Sequence, residues 1–298
     1  MFVRMLKAPE EVAQSEASIL QGLGRLPSYY AGMTKATWQS RLTRTGHGAA
    51  QWLIEWWRLV LLGAVILVLT LSPSSYSRES RRVLARHIYL NTAPILLGFT
   101  VLCALVTVVI TRIVLVTALS YGLSQYALQV VIRVLVLELI PLTAALFVAL
   151  RCTIPDGAEL TAMQASGELD EMRRQGMDPV RREVLPRVVA GMSSGITLAA
   201  LSSLVTLVVA YVAGYGFTVS GVAAYTRLFG QVFSPAVTLI FVLKTLLFSL
   251  TVSLIPMASA LYGMRGASVR TSAEMRGLVR MFAVILLIEV ASLVGNYY

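Results

Sequence analysis

Five apolar stretches, each close to the length that crosses a bilayer, recur along this sequence: roughly Ile95 to Leu119, Val130 to Leu150, Val188 to Val212, Val237 to Leu261 and Leu278 to Val294. A helix of about 20 apolar residues covers the ~30 Å hydrocarbon core and satisfies every backbone N–H and C=O internally, which few other structures can do there. One such stretch would read as an anchor; five spread over most of the chain predict an all-α integral membrane protein. Composition agrees: 57% of residues are hydrophobic and 13% charged, against about 25% charged in a soluble domain.

Charge is distributed to match. The net charge of +10 would suggest nucleic acid in a soluble protein, but here the Arg and Lys residues cluster between apolar runs, as in loops that face an anionic cytoplasmic leaflet. Arg151 to Arg187 carries Arg173, Arg174, Arg181 and Arg182, and Gly263 to Arg280 carries Arg265, Arg270, Arg276 and Arg280. Both read as cytoplasmic. Ser120 to Gln129 and Gly214 to Ser234 hold only Arg227 and read as facing the other side. The amino terminus is then inside and the carboxyl terminus, Gly295-Asn-Tyr-Tyr298, outside.

Ahead of the first span, residues 1–50 are mixed and polar without sustained period and read as a cytoplasmic extension. Leu59 to Leu71, preceded by Trp52, Trp56 and Trp57, is too short to span comfortably; its tryptophans predict a helix in the interface. Ser77 to His87, with Arg78, Arg81, Arg82 and Arg86, reads as a short surface helix.

Little in the chain suggests bond chemistry. Cys103 and Cys152 form no CxxC or Cys/His spacing, and His47 and His87 read as surface histidines. There is no GxxxxGK[ST] loop, so any nucleotide that drives the protein binds another chain. No Ser/His/Asp, His-rich or paired-carboxylate pattern has catalytic spacing, which argues against an enzyme.

The basic stretch after the second span carries helix punctuation. Ser166 is placed to cap, Glu168 and Asp170 fall in the first turn, Arg173 and Arg174 in the last, Gly176 at the stop, and Pro179 follows. That predicts a helix over Ser166 to Gln175. Leu169 and Met172, three apart, share one face. Periodicity alone leaves open whether this stripe fits a groove on another protein or lies back on its own bundle.

Glu138-Leu-Ile-Pro141, Arg151, Ala158-Glu159-Leu160, Met163, Glu168-Leu169, Met172, Gly176-Met-Asp178-Pro179 and Pro186-Arg187-Val-Val-Ala190 together resemble the MlaE/YrbE permease family, the lipid-transporting ABC permeases associated with Mce proteins. The resemblance extends over about residues 50 to 298 and implies an MlaE-like transmembrane permease domain over 51–298. It implies an interfacial helix, an elbow helix, five transmembrane helices and a cytoplasmic coupling helix that docks on an ABC ATPase subunit, through Ser166, Glu168, Leu169, Met172, Arg173, Asp178 and Pro179. It further implies a second permease copy, identical or paralogous, an Mce-domain periplasmic protein, and lipid moved at a bacterial inner membrane. A small cytoplasmic accessory subunit is compatible with it. ATP and magnesium would sit on the partner, with no cofactor on this chain. The chain departs from the family where Leu137-Glu-Leu-Ile-Pro141 replaces Arg-Glu-Leu-Gly-Pro and Leu150-Arg-Cys-Thr153 replaces Gly-Arg-x-Gly; losing glycines predicts looser helix approach there.

Arg112, Arg133, Glu138, Lys244 and Glu289 fall within or near apolar spans. Each costs roughly 2.5–3.5 kcal/mol at the centre of a helix in the bilayer, so they are expected to face the bundle interior or water. Glu138 and Lys244 match charged family positions near the lipid cavity. The expectation is that Lys244 or Arg133 meets a lipid phosphate while Glu138 orients the cation; an ion pair closed within the bundle fits the residues equally. The rival reading of the whole chain is an ion-coupled secondary carrier of a lipophilic substrate using Arg133, Glu138 and Lys244, though no inverted repeat with broken helices is visible.

Overall fold

The computed structural model describes residues 56–70, 78–262 and 267–297; the extension at residues 1–50 and Trp52 lie outside them. The chain divides into residues 1–58 and 59–298, and the second unit holds the bundle. Described residues are helical almost throughout. α1 is Trp56–Thr70 and α2 Arg78–Ser120. The second span is one long helix in five pieces: α3 (Ser124–Ile132), a π-helical segment (Arg133–Leu139), α4 (Ile140–Val148), a second π segment (Ala149–Thr153) and α5 (Ile154–Ser166). Then come α6 (Glu168–Arg174), a π turn (Val180–Val184), α7 (Leu185–Tyr215), α8 (Val222–Val232), α9 (Pro235–Tyr262) and α10 (Ala267–Tyr297). Among the described residues five helices are long and apolar enough to cross a membrane, so this is an all-α, multi-spanning membrane fold.

Helices α2 and α7 run parallel and are joined by small polar pairs: Thr92 with Ser194 at 2.7 Å, Thr100 with Ser202 at 3.5 Å and Thr107 with Thr206 at 3.1 Å. In a bilayer the hydrophobic effect does not drive helices together, so small residues and interhelical hydroxyl bonds bring them close. Gly191 and Gly195 of α7 do the same against α9, where a Cβ on either would come within 2.6 Å of Ser253 Oγ or Ser249 Oγ. The apolar core that these helices share with α4 and α10 is built from Phe99, Val148, Leu198, Phe248, Val252 and Met281.

Several expected boundaries move. The surface helix over Ser77 to His87 is not separate: α2 runs unbroken from Arg78 through the first span, with Pro94 inside it, because nothing between His87 and Ile95 except that proline opposes helix. The second span extends past Leu150 to Ser166, and Gly214 to Ser234 contains α8 rather than only loop. α1 covers about 22 Å at 1.5 Å per residue, short of the ~30 Å core. Leu62 and Ile66 pack against Leu160, Leu254 and Met257, while Val60, Leu61, Leu67 and Val68 face outward. At the opposite end from α6, α8 is pinned by Tyr225, whose hydroxyl donates to the Leu207 carbonyl at 2.7 Å. Burial, with Tyr215 beside it, pushes that phenol up to about 12.

Candidate functional site

The charged residues singled out within the spans separate in space. Glu138, Lys244 and Glu289 converge; Arg112 stands exposed on α2, and Arg133 is half-buried one π turn before Glu138. The π segment is what aims Glu138: a wide turn is costly to keep and recurs at functional sites. Lys244, on α9 about 14 Å along the helix from Pro235, is enclosed. Its ammonium donates to a Glu138 carboxylate oxygen and to the Leu137 carbonyl at 3.3 Å. Its Nζ also lies 2.8 Å from Glu289 Oε2, a close ion contact off the hydrogen-bond direction, since that oxygen accepts no well-directed bond. Asn296 Nδ2 donates to the other Glu138 oxygen at 3.3 Å, and the Phe248 ring lies 5.7 Å from Nζ.

One ammonium therefore serves two carboxylates inside the bundle. Glu289, Ser292 and Asn296 lie on one face of α10 (i, i+3, i+7), and each has a buried oxygen without a hydrogen-bond partner. Arg133 Nε is likewise buried and unpartnered. The arrangement can hold three helices by charge and still present polar atoms to something that enters. Of the two cations expected to meet phosphate, Lys244 is fully engaged by protein, and Arg133 keeps an unused donor.

The second set of site residues gathers at the other end. Gly167, with φ of +82°, reverses the chain between α5 and α6; only glycine adopts that left-handed conformation cheaply. It is the residue before α6, so the expected cap at Ser166 does not form: the Ser166 hydroxyl donates to the Met163 carbonyl at 3.0 Å, closing α5 instead. The helix is Glu168–Arg174, shorter than Ser166 to Gln175. Leu169 is buried among Leu160, Val184 and Val188, with Met172 packed against the same cluster. The apolar stripe thus lies on its own bundle, and the outward face is charged: Arg173 pairs with Asp170 at 3.0 Å and Arg174 with Glu171 at 3.4 Å, while Glu168 is exposed. Asp178 Oδ1 accepts the Val180 N–H at 3.0 Å and opens the third span, with Pro179 buried beside it.

Sequence reasoning missed the residue that fastens this end. Arg187 of α7 is buried and reaches Glu183 at 2.9 Å and Glu159 of α5 at 3.4 Å, with Met163 Sδ at 3.9 Å. A cation four residues after a glutamate, at the start of an apolar run, was the available signal. Asn91 of α2 adds a bond to Asp156 of α5 at 3.3 Å. Among the described residues no group of three or more His, Cys, Asp or Glu is arranged to hold a metal.

A multi-spanning bundle with a short charged helix folded onto one end and a buried ion cluster toward the other defines an all-α integral membrane protein. The family model for Permease MlaE matches residues 84–294, and the chain belongs to that family. It is also similar to a probable ABC transporter permease protein of Rickettsia prowazekii (strain Madrid E), 27% identical over 152 residues, or 49% of this chain and 58% of that protein.

Proposed function

We propose that this chain is the membrane-spanning subunit of an ATP-binding cassette transporter that moves phospholipid or a related lipid between a bacterial inner membrane and an Mce-domain protein. The observation that carries the reading is α6: a charged helix held to the bundle by Leu169 and presenting Glu168, Arg173 and Arg174 outward, in a chain that matches a permease family through all five apolar helices. The curated relative's name, which places it among ABC permeases, supports an ATPase as the partner for that face. In this reading the α6 end is cytoplasmic, and ATP and magnesium act on the ATPase. A second permease copy lies alongside, and residues 1–50 extend into the cytoplasm.

The lipid site is the wall around Glu138, Lys244 and Arg133. Lys244 neutralises and orients Glu138, Arg133 supplies the free donor for a lipid phosphate, and neighbouring Leu, Val and Phe side chains accept acyl chains. Affinity purification of the tagged chain from mild detergent, with mass spectrometry of proteins and bound lipid, tests this. An ATPase, an Mce protein and phospholipid are expected together. A chain recovered alone, under conditions that preserve comparable complexes, would sink the reading and favour an ion-coupled carrier built on the same buried charges. Arg133→Gln is expected to lower co-purified phospholipid about tenfold, the loss of one charge-assisted hydrogen bond, while the protein partners stay bound.

A further inference from the structure

Beside the second span, whose Pro141 and Pro155 each follow a π segment, α2 carries the interior Pro94 and α9 the interior Pro256. A proline inside a helix has no N–H for the carbonyl four residues back, and the helix kinks there. In α9 the orphaned carbonyl belongs to Val252, and Thr153 Oγ1 donates to it at 2.7 Å. In α2, in the turn opened by Pro94, the Asn91 carbonyl accepts from Cys152 Sγ at 3.4 Å. Adjacent residues of the π segment Ala149–Thr153 thus bond both helices, and Thr153 takes the carbonyl that Pro256 leaves open.

The packing around this point is close. Gly157, one turn beyond Thr153, lies so near Pro256 that a Cβ would meet its Cβ at 3.2 Å and its carbonyl oxygen at 3.3 Å. From α7, a Cβ on Gly191 would come 2.6 Å from Ser253 Oγ and 2.8 Å from Thr153 Cγ2. Just past the kink lies a cavity of about 160 Å³, lined by residues of α5, α9 and α10 that include Gly157, Thr161, Pro256, Ser259 and Leu278. Beyond the cavity the end of α9 is fastened again, by Gln164 Nε2 of α5 donating to the Leu261 carbonyl at 3.2 Å, while at the pivot itself the orphaned carbonyl is held by one hydroxyl.

We infer that Thr153 is a positioning residue, the clasp by which a displacement of α6 reaches the proline site of α9. α5 connects α6 directly to the π segment. If that wide turn tightens by one residue, everything beyond it rotates by about 100°, Thr153 leaves the Val252 carbonyl, and α9 is freed to bend at Pro256. The inference rests on the reading of α6 as the surface that an ATPase drives.

The test uses the whole transporter, purified through the tagged chain and reconstituted in liposomes, and reads lipid moved per ATP hydrolysed. Thr153→Val removes the hydroxyl at constant shape and Thr153→Ser keeps it. Thr143→Val is the control, since the Thr143 hydroxyl bonds only its own helix, at the Leu139 and Ile140 carbonyls. The expected result is a ratio about tenfold lower in Thr153→Val, with ATPase rate and assembly within about twofold of wild type, and recovery in Thr153→Ser. A wild-type ratio in Thr153→Val, or equal loss in Thr153→Ser, overturns the clasp. If no ATPase accompanies the chain, the reading of α6 is what fails. The clasp is then read on the chain alone, by hydrogen exchange over residues 252–262. About tenfold faster exchange in Thr153→Val and not in Thr153→Ser supports it, and unchanged exchange overturns it.

Discussion

Lys244 and Arg187 are each held between two carboxylates, toward opposite ends of the bundle. The Lys244 side chain is 1% exposed and its partners Glu138 and Glu289 are 14% and 15% exposed. Arg187 is nearly as buried, at 5%, but Glu159 is 63% exposed and Glu183 21%. The cations are alike; what differs is whether the acids keep their water. Around Lys244 none of the three groups is well hydrated, so each depends on the others for solvation, and removing one strands the rest. Around Arg187 one of the two acids, Glu159, already stands in water and loses little when its partner leaves. The first cluster is suited to fixing helices α9 and α10 against the second span. The second, beside α6, can be rearranged at modest cost, which is what an end that must move requires.

That comparison breaks most visibly at Lys244. Lys244→Met leaves Glu138 and Glu289 facing each other without a counter-ion, and the expected destabilisation is about 3–5 kcal/mol, measured as thermal unfolding of the detergent-purified chain. Adding Glu138→Gln and Glu289→Gln to the same chain is expected to restore most of it, because the stranded charge is then gone. Unfolding of Lys244→Met at the wild-type temperature would show that the cluster does not hold the bundle. Arg187→Met is expected to cost less, about 1–2 kcal/mol, because Glu159 is already largely in water and its pairing is screened. If the two substitutions cost the same, hydration of the acids is not what separates the ends.

The sequence made the spanning helices legible because hydropathy over about 20 residues is a strong, redundant signal. Glu138, Lys244 and Glu289 were visible for the same reason, as charges that have no place among Leu and Val unless something meets them. Asn296 escaped because it sits in the polar tail Gly295-Asn-Tyr-Tyr298, where an amide attracts no notice, though it stands seven residues after Glu289 on one face. The three π segments left no trace: a local change in backbone register has no hydropathy signature, so neither the aim of Glu138 nor the clasp at Thr153 was readable. α8 was hidden by its mixed polarity, although Tyr225, Leu228 and Val232 at i, i+3 and i+7 carry a helical stripe. The apolar stripe of Leu169 and Met172 is visible in the sequence, but its destination depends on the fold of α5 and α7, whose Leu160 and Val188 claim it together with Val184.

The smallest expected effect sharpens the comparison from the hydrated end. Asp178 Oδ1 accepts the Val180 N–H at 3.0 Å and its carbonyl accepts the Arg182 N–H at 3.1 Å, so the side chain satisfies one donor left open where the third span begins. Removing such a cap costs about 1 kcal/mol. Asp178→Ala is expected to lower thermal stability by that amount and to speed hydrogen exchange over residues 180–184, without reaching the Lys244 cluster. Asp178→Asn, which keeps an acceptor oxygen, is expected to recover most of the loss. If Asp178 instead served chiefly to engage an ATPase through its charge, Asp178→Asn would behave like Asp178→Ala in ATP-driven lipid transfer while stability recovered. That divergence between stability and transfer is what assigns the residue to the partner rather than to the helix it caps.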